Sequence, residues 1–374
     1  MRVIFTGGGT GGHIYPILAI IERLKETGIS NDDEILFVGT ERGLESKIVP
    51  RAGINFKTIE IQGFSRKNLI KNIETIKLFM KATKKARKII SEFKPDVVLG
   101  TGGYVSGAIV YEAAKMGIPT LIHESNSVVG LANKFLGHYV DKICYTFDDA
   151  AKQFSEKKKL IQTGNPRSQQ VLNLNLEKID LAQKWSLNPQ MPTVLVFGGS
   201  RGALAINRAM ESALSELSKK PYQVIWATGQ YYYGSVKEKL AGKDIPKNLR
   251  IVPYIDNMPA LLPQMSCVVS RSGATSLAEF TALGVPVVLI PSPNVTHNHQ
   301  MKNALDMEKA GAALVIPEND LNPNNFVSSI DHILLDSEYA SKMSKASKKL
   351  GVPDSADQII TVMKDYRQTN KKLL

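Results

Sequence analysis

Cysteine is nearly absent from these 374 residues: Cys144 and Cys267 stand far apart and outside any CxxC pair. That excludes a disulfide framework and a zinc ribbon, and it fits a reducing cytoplasm. No run of about 18 apolar residues occurs, so no segment reads as a membrane span. The opening MRVIFTGGG passes straight from a strand-like run into glycines without the apolar stretch of a signal peptide. No GK[ST] follows a glycine loop, which removes the P-loop nucleotidases, and the DxD pair that holds a metal on a nucleotide diphosphate is missing. His297 and His299 stand two apart with no Cys or carboxylate companion nearby, too little for a metal site. Acidic residues are the scarcer charge: 47 Lys and Arg against 35 Asp and Glu leave +12, a balance that suits an anionic partner.

What is present is a repeating alternation. Unbroken β-branched runs such as Val3-Ile4-Phe5, Val97-Val98-Leu99, Val194-Leu195-Val196-Phe197 and Val287-Val288-Leu289-Ile290 are separated by amphipathic segments such as Ile17 to Glu26 and Leu204 to Leu217. Strands without polar alternation are buried on both faces, so parallel sheets covered by helices are expected. The same opening occurs twice, at Val3 to Gly12 and at Val194 to Ala203: a strand, a glycine turn, then a helix. The chain therefore reads as α/β with two doubly wound parallel-sheet domains facing a central cleft. Expected bounds are 1–164 for the first, 165–192 for a polar linker and 193–350 for the second, with a helix at about 351–368 returning to the first domain. Ligands of such sheets bind at the carboxyl ends of the strands.

Four strand-to-helix turns carry glycines or small residues: 7–12, 100–107, 198–202 and 270–275. Each leaves backbone N–H groups at a helix N-terminus, which can hold an anion without a metal. The first contains GxGxxG, but the second strand ends Val38-Gly39-Thr40 and lacks the acidic residue of a nicotinamide site. Glu279, two turns into the helix begun near Ser272, is placed either to grip ribose hydroxyls or merely to face water.

Taken together, Gly8 to His13, Gly100 to Gly107, His123-Glu124-Ser125-Asn126, Gly164-Asn165-Pro166, Gly198-Gly199-Ser200, Arg271 to Ala274 and His299-Gln300 with Asn303-Ala304 resemble the MurG family of N-acetylglucosaminyltransferases, over nearly the whole chain. The resemblance implies the GT-B architecture of two Rossmann-like domains. It also implies metal-independent inverting transfer, with no cofactor, from UDP-N-acetylglucosamine to the 4-hydroxyl of the muramoyl sugar of polyprenyl-diphosphate-linked lipid I. Carried over by position, Thr10, Gly11, Gly12 and Asn126 lie toward the donor sugar, Ser200 toward a phosphate, Arg167 toward the donor, and Ile255 toward uracil. Ala274, Thr275 and Glu279 embrace ribose and diphosphate, Gln300 holds sugar hydroxyls, and Gly102, Gly103 and Tyr104 fall on the acceptor side. Two departures from the family pattern stand out: Arg201 replaces a usual Gln, and Arg167 precedes Ser168 where the basic residue commonly comes second.

The transfer needs a base, positive potential under the departing UDP, and exclusion of water. His13, at the first turn of a helix, and Glu124 both qualify as the base at this level. Arg66, Lys67, Lys71, Lys77, Lys81 and Lys84 surround an apolar stripe that includes Ile73 and Met80. The stripe reads either as an ordinary packed helix or as a peripheral contact with an anionic inner-leaflet surface. A basic nucleic-acid-binding module remains as an alternative, although base-stacking aromatics are lacking. So does a UDP-N-acetylglucosamine 2-epimerase, which shares fold and nucleotide but needs no lipid-facing stripe.

Overall fold

The computed structural model describes residues 1–63, 69–174, 177–199, 201–295 and 298–371. The chain divides into two units, Met1–Gln170 with Val352–Leu374, and Val171–Gly351.

The first unit is built on a parallel sheet in the order β3-β2-β1-β4-β5-β6-β7. Its strands are β1 (Val3–Thr6), β2 (Ile35–Gly39), β3 (Phe56–Thr58), β4 (Val97–Gly100), β5 (Thr120–Glu124), β6 (Lys142–Tyr145) and β7 (Leu160–Gln162). The central strands are buried on both faces, as their uninterrupted apolar runs require. On one face Ile14, Ile17, Ile20 and Leu24 of the helix Gly11–Glu26 join Ile359, Ile360 and Met363 of the closing helix Ser355–Lys371. On the other, Ala82, Ala86, Ile89 and Ile90 of the helix Leu69–Phe93 pack with Val105, Ile109 and Ala113 of the helix Tyr104–Lys115.

The second unit carries β8 (Thr193–Phe197), β9 (Gln223–Ala227), β10 (Leu249–Val252), β11 (Cys267–Ser270), β12 (Val287–Leu289) and β13 (Leu314–Val315), parallel in the order β10-β9-β8-β11-β12-β13. In both sheets the strand order reverses beside the first strand of the unit, between β1 and β4 and between β8 and β11. Connections there leave in opposite directions and open a crevice at the carboxyl ends. All four glycine-bearing turns follow these four strands. Both thiols are buried core groups, pushed up to about 12 by that burial. No helix among the described residues is long and apolar enough to cross a membrane.

The stretch expected as a linker, 165–192, is divided between the units. Residues through Gln170 belong to the first, tied there by hydrogen bonds, and the rest includes the short helix Leu181–Trp185 in the second. Much of that tie is a polar clamp on the closing helix. Asp357 takes a bidentate contact from Arg23 (2.7 and 2.9 Å) and one from Gln169 Nε2 (2.7 Å), whose side-chain oxygen accepts from the Asp357 amide (2.9 Å). The Arg23 hydrogen bond holds the Asp357 carboxyl below its ordinary range. Both side chains stay partly exposed, at 29% and 39%. Asp357→Asn should therefore lower stability by about 1 kcal/mol or less, since water screens the pair. A carboxyl held low stabilises the fold above its ordinary value near 4 and loses that contribution as pH falls through the lowered one. Denaturant melts of both proteins from pH 7 to pH 3 should show the difference shrinking toward acid.

Candidate functional site

In the first unit the turns after β1 and β4 interlock. The Gly8 amide donates to the Gly102 carbonyl (3.3 Å), Thr101 Oγ1 donates to the His13 carbonyl (2.6 Å), and Ser106 Oγ donates to the carbonyls of Thr6 (3.0 Å) and Gly102 (2.8 Å). The approach is too close for side chains: a Cβ at Gly103 would stand 2.7 Å from the Gly8 oxygen, and one at Gly102 would stand 3.0 Å from His13 Nε2. Both glycines have positive φ (116° at Gly102 and 83° at Gly103), which other residues rarely adopt. Gly9 and Thr10 are exposed at the tip, and Gly11, Gly12 and His13 are half-buried in the first turn of the helix. His13 Nδ1 lies 2.8 Å from the Gly8 carbonyl oxygen. A carbonyl only accepts, so Nδ1 carries the proton and Nε2, beside Gly102, keeps its lone pair. Tyr104 begins the next helix half-exposed, and its ring lies where a Cβ on Gly63 would be.

At the end of β5, Glu124 is buried with both oxygens occupied. Oε1 accepts from the Asn126 amide (3.1 Å) and Asn126 Nδ2 (3.3 Å), and Oε2 from the Gly130 amide (3.0 Å) and Asn133 Nδ2 (3.0 Å). Its neighbour His123 is fully buried. The His123 Nε2–H donates to the Gly164 carbonyl (2.8 Å) and the Ser125 hydroxyl to its Nδ1 (3.3 Å), and burial pushes its pKa down, so the ring is neutral. Arg167 follows in this unit, its guanidinium on Gln170 Oε1 (2.6 Å) and 5.9 Å from the centre of the Tyr15 ring.

In the second unit the turn after β8 is pressed against the turn after β9. A Cβ at Gly202 would stand 2.1 Å from the Thr228 carbonyl oxygen, and Asn207 secures that carbonyl from Nδ2 (3.0 Å) while accepting from Trp226 Nε1 (3.0 Å). Arg201 is exposed, and Ser200 lies outside the described residues. After β11, Gly273 precedes the helix Ala274–Leu283, whose first-turn amides point outward. The Ser272 hydroxyl donates to the Gln300 carbonyl (2.7 Å), Asn303 Nδ2 donates to the Ser272 carbonyl (3.2 Å), and Gln300 Oε1 accepts from the Ser292 amide (2.9 Å). Gln300 thereby joins the loops after β11 and β12. Thr275 Oγ1 is buried there with no hydrogen-bond partner among the described residues, Glu279 is buried rather than water-facing, and Ile255 is buried. Arg271 is held aside by Glu318 and the Ile290 carbonyl. His297 lies outside the described residues, and among those described no three His, Cys, Asp or Glu gather as metal ligands.

A third surface lies on the helix Leu69–Phe93. Its inward face is taken by Ala82, Ala86, Ile89 and Ile90, which leaves Ile76 and Met80 more than half exposed (51% and 59%) beside the exposed Lys77, Lys81 and Lys84. Arg66 and Lys67 lie outside the described residues, and for Lys71 and Ile73 only the backbone is described. Sequence reasoning named Phe79 in this stripe but missed the rings that join it from other elements. Phe79 of the helix, Tyr111, Phe135 and Tyr139 form one ring cluster, with centroids 6.1 Å apart for Phe79–Tyr111, 5.6 Å for Tyr111–Phe135 and 5.1 Å for Phe135–Tyr139. Leu131, Phe135 and Tyr139 are exposed. Arg87 fastens the long helix to Glu112, which is buried, at 2.6 Å.

Residues 3–145 match the glycosyltransferase family 28 N-terminal domain and residues 193–359 the C-terminal domain of that family. The chain is 80% identical, over 97% of its length and 98% of the relative's, to a Lactobacillus johnsonii protein named UDP-N-acetylglucosamine–N-acetylmuramyl-(pentapeptide) pyrophosphoryl-undecaprenol N-acetylglucosamine transferase. The crystal structure of Acinetobacter baumannii MurG superposes with a TM-score of 0.77 at 25% identity, covering 97% of this chain and 99% of that one. A UDP-GlcNAc 2-epimerase from Neisseria meningitidis shares the fold (TM-score 0.70) at 16% identity, over 98% of this chain and all of that one. With the glycine turns at the reversal points of both sheets and this likeness along nearly the whole length, the chain belongs to glycosyltransferase family 28, in its MurG group of N-acetylglucosaminyltransferases.

Proposed function

We propose that the chain transfers N-acetylglucosamine from UDP-N-acetylglucosamine to the 4-hydroxyl of the muramoyl sugar of lipid I, making the β-1,4 bond of lipid II for peptidoglycan. The carrying observation is the 80% identity to a transferase of that name along nearly the full length. Fold alone does not separate transferase from epimerase, because both are built on these two sheets. With UDP-N-acetylglucosamine alone the enzyme should release little UDP, and addition of a lipid I analogue should start turnover. Rapid conversion of the donor without acceptor would establish the epimerase instead.

In the reaction the acceptor oxygen forms its bond to the anomeric carbon from the face opposite the diphosphate. The carbon–oxygen bond to UDP breaks, its electron pair stays on phosphate, and the acceptor proton passes to a base. Two features support His13 as that base. Its Nε2 lone pair is held ready by the Nδ1–H bond to the Gly8 carbonyl, and Nε2 lies beside Gly102 of the acceptor-side turn. Glu124 is already engaged by four N–H groups, and protonating it would break some of those bonds, so it serves as the brace that shapes the Asn126 turn. His13→Ala should cost about 10²–10⁴ in kcat and abolish the acid limb of the pH–rate profile, while Glu124→Gln should keep that limb; the opposite pattern would transfer the role to Glu124.

On the donor side, the amides opening the helix Ala274–Leu283 face the diphosphate and support its departing charge. The unpartnered Thr275 hydroxyl is placed to bond the same ligand, Glu279 to take the ribose hydroxyls, Gln300 the sugar hydroxyls, and Ile255 the uracil through its backbone. Arg167, Thr10 to Gly12, Asn126 and Ser200 complete the donor contacts, and Tyr104 with Gly102 and Gly103 receives the acceptor. No metal or cofactor enters this scheme. Glu279→Ala should raise donor KM about tenfold or more, the loss of two charge-assisted hydrogen bonds, and a chelator should leave turnover intact.

The reaction is placed at the cytoplasmic face of the membrane, reached peripherally. The exposed Ile76, Met80, Phe135 and Tyr139, with Lys77, Lys81 and Lys84 around them, suit insertion among anionic headgroups. Replacing the three lysines with Glu, or Phe135 with Ser, should weaken sedimentation with anionic vesicles and leave turnover of a short-chain acceptor nearly unchanged. Equal vesicle binding by parent and variants would remove this face from the membrane.

A further inference from the structure

Glu45 opens the short helix Glu45–Arg51, and it is fully buried. Among the described residues no lysine or arginine pairs with it. Dipoles hold it instead: Oε1 accepts from the Thr40 amide (3.1 Å) and the Thr40 hydroxyl (2.6 Å), and Oε2 accepts from the Gly9 amide (3.0 Å). The backbone is wrapped closely around this carboxylate. A Cβ at Gly8 would stand 2.5 Å from Oε1, and one at Gly43 would stand 2.1 Å from Oε2. A buried carboxylate without a cation is costly to keep, so its surroundings invite a functional explanation.

The Gly9 amide belongs to the peptide group whose carbonyl is that of Gly8. That carbonyl oxygen is the one that accepts His13 Nδ1–H at 2.8 Å. One peptide plane is therefore gripped at both ends, by Glu45 through its N–H and by the imidazole through its oxygen. We propose that Glu45 is a positioning residue for His13, acting through the Gly8–Gly9 peptide to fix the Nδ1–H tautomer and to support the charge His13 gains. The proposal rests on His13 being the base. A carboxylate bonded to the N–H end polarises the peptide and makes its oxygen a better acceptor, which supports the positive charge the ring gains during the reaction. When Nε2 takes the acceptor proton, the Nδ1 proton stays where it is and none moves to Glu45. The carboxylate of a Ser-His-Asp triad orients and stabilises its histidine in the same sense, there by direct contact.

The other ionisable groups around this arrangement are differently placed. Glu41, Arg42 and Lys47, beside or within the helix of Glu45, are exposed. Tyr104 begins the helix after β4, and Tyr15 lies on the helix of His13 with Arg167 near its ring. Glu45 is the acidic group that bonds to the Gly8–Gly9 peptide.

The test uses the full chain with donor and a soluble acceptor analogue, together with ¹⁵N-histidine-labelled protein in which His13 is assigned by its loss in His13→Ala. Glu45→Gln should lower kcat about tenfold or more with donor KM changed less than about twofold. The acid limb and the His13 nitrogen titration should both move to lower pH by about half a unit or more, because a nearby negative charge has gone. Glu45→Asp keeps the charge but is one methylene too short for the Gly9 amide, so it should move both in the same direction by less. An unmoved His13 titration in Glu45→Gln overturns the proposal, even if kcat falls, since a mere structural brace would behave that way. Should Glu45→Gln fail to fold, the Glu45→Asp titration decides by the same criterion. Failure of the base assignment itself looks different: His13→Ala would then retain the acid limb.

Discussion

The contact that organises the first unit is the near-touching of the turns after β1 and β4. With a Cβ at Gly103 just 2.7 Å from the Gly8 oxygen, any side chain there would push the Gly8 carbonyl away from His13 Nδ1. The glycines therefore do more than allow a tight turn. They let two turns share one layer of backbone hydrogen bonds, and that layer sets which imidazole nitrogen keeps its lone pair. Thr101 and Ser106 complete the layer by donating to the carbonyls of His13 and Thr6.

The second unit applies the same principle to a different end. Gly202 lies against the Thr228 carbonyl, and Gln300 ties the loop after β11 to the loop after β12. Here the rigidity holds the first-turn amides of the helix Ala274–Leu283 without a side-chain cap, an arrangement that can hold an anion without a side-chain cation. Arg271 illustrates the distinction. A sequence reading places it beside the anion site, yet its guanidinium is committed to Glu318 and a backbone carbonyl, so it shapes the loop.

The outer helix of the first unit shows how one amphipathic pattern can hold two apolar faces. Ala82, Ala86, Ile89 and Ile90 are the face the sheet requires, and small alanines let the helix lie close to its neighbour. Ile76 and Met80 belong to neither that core nor an ordinary polar surface. Their meaning depends on Phe135 and Tyr139, which are more than 50 residues away in the chain and reach the same surface only because β4, β5 and β6 are neighbours.

The alternation of strand and helix, the duplicated glycine opening and the residue motifs were legible in the amino-acid sequence, because both-face burial and strand-to-helix turns each leave a local pattern. From these came two parallel sheets, the four turns and most of the candidate residues around them. The choice between His13 and Glu124 was not legible, since both are ionisable and stand in similar motifs. It depends on which partners converge on each: the Gly8 carbonyl on the His13 ring, and N–H groups of Asn126, Gly130 and Asn133 on the Glu124 carboxylate. Glu45 left no sequence signal at all: an isolated glutamate at the start of a short helix usually faces water. Only the parallel pairing of β1 with β2 brings its carboxylate to the Gly9 amide, because hydrogen-bond partners are set by strand neighbours and not by distance along the chain.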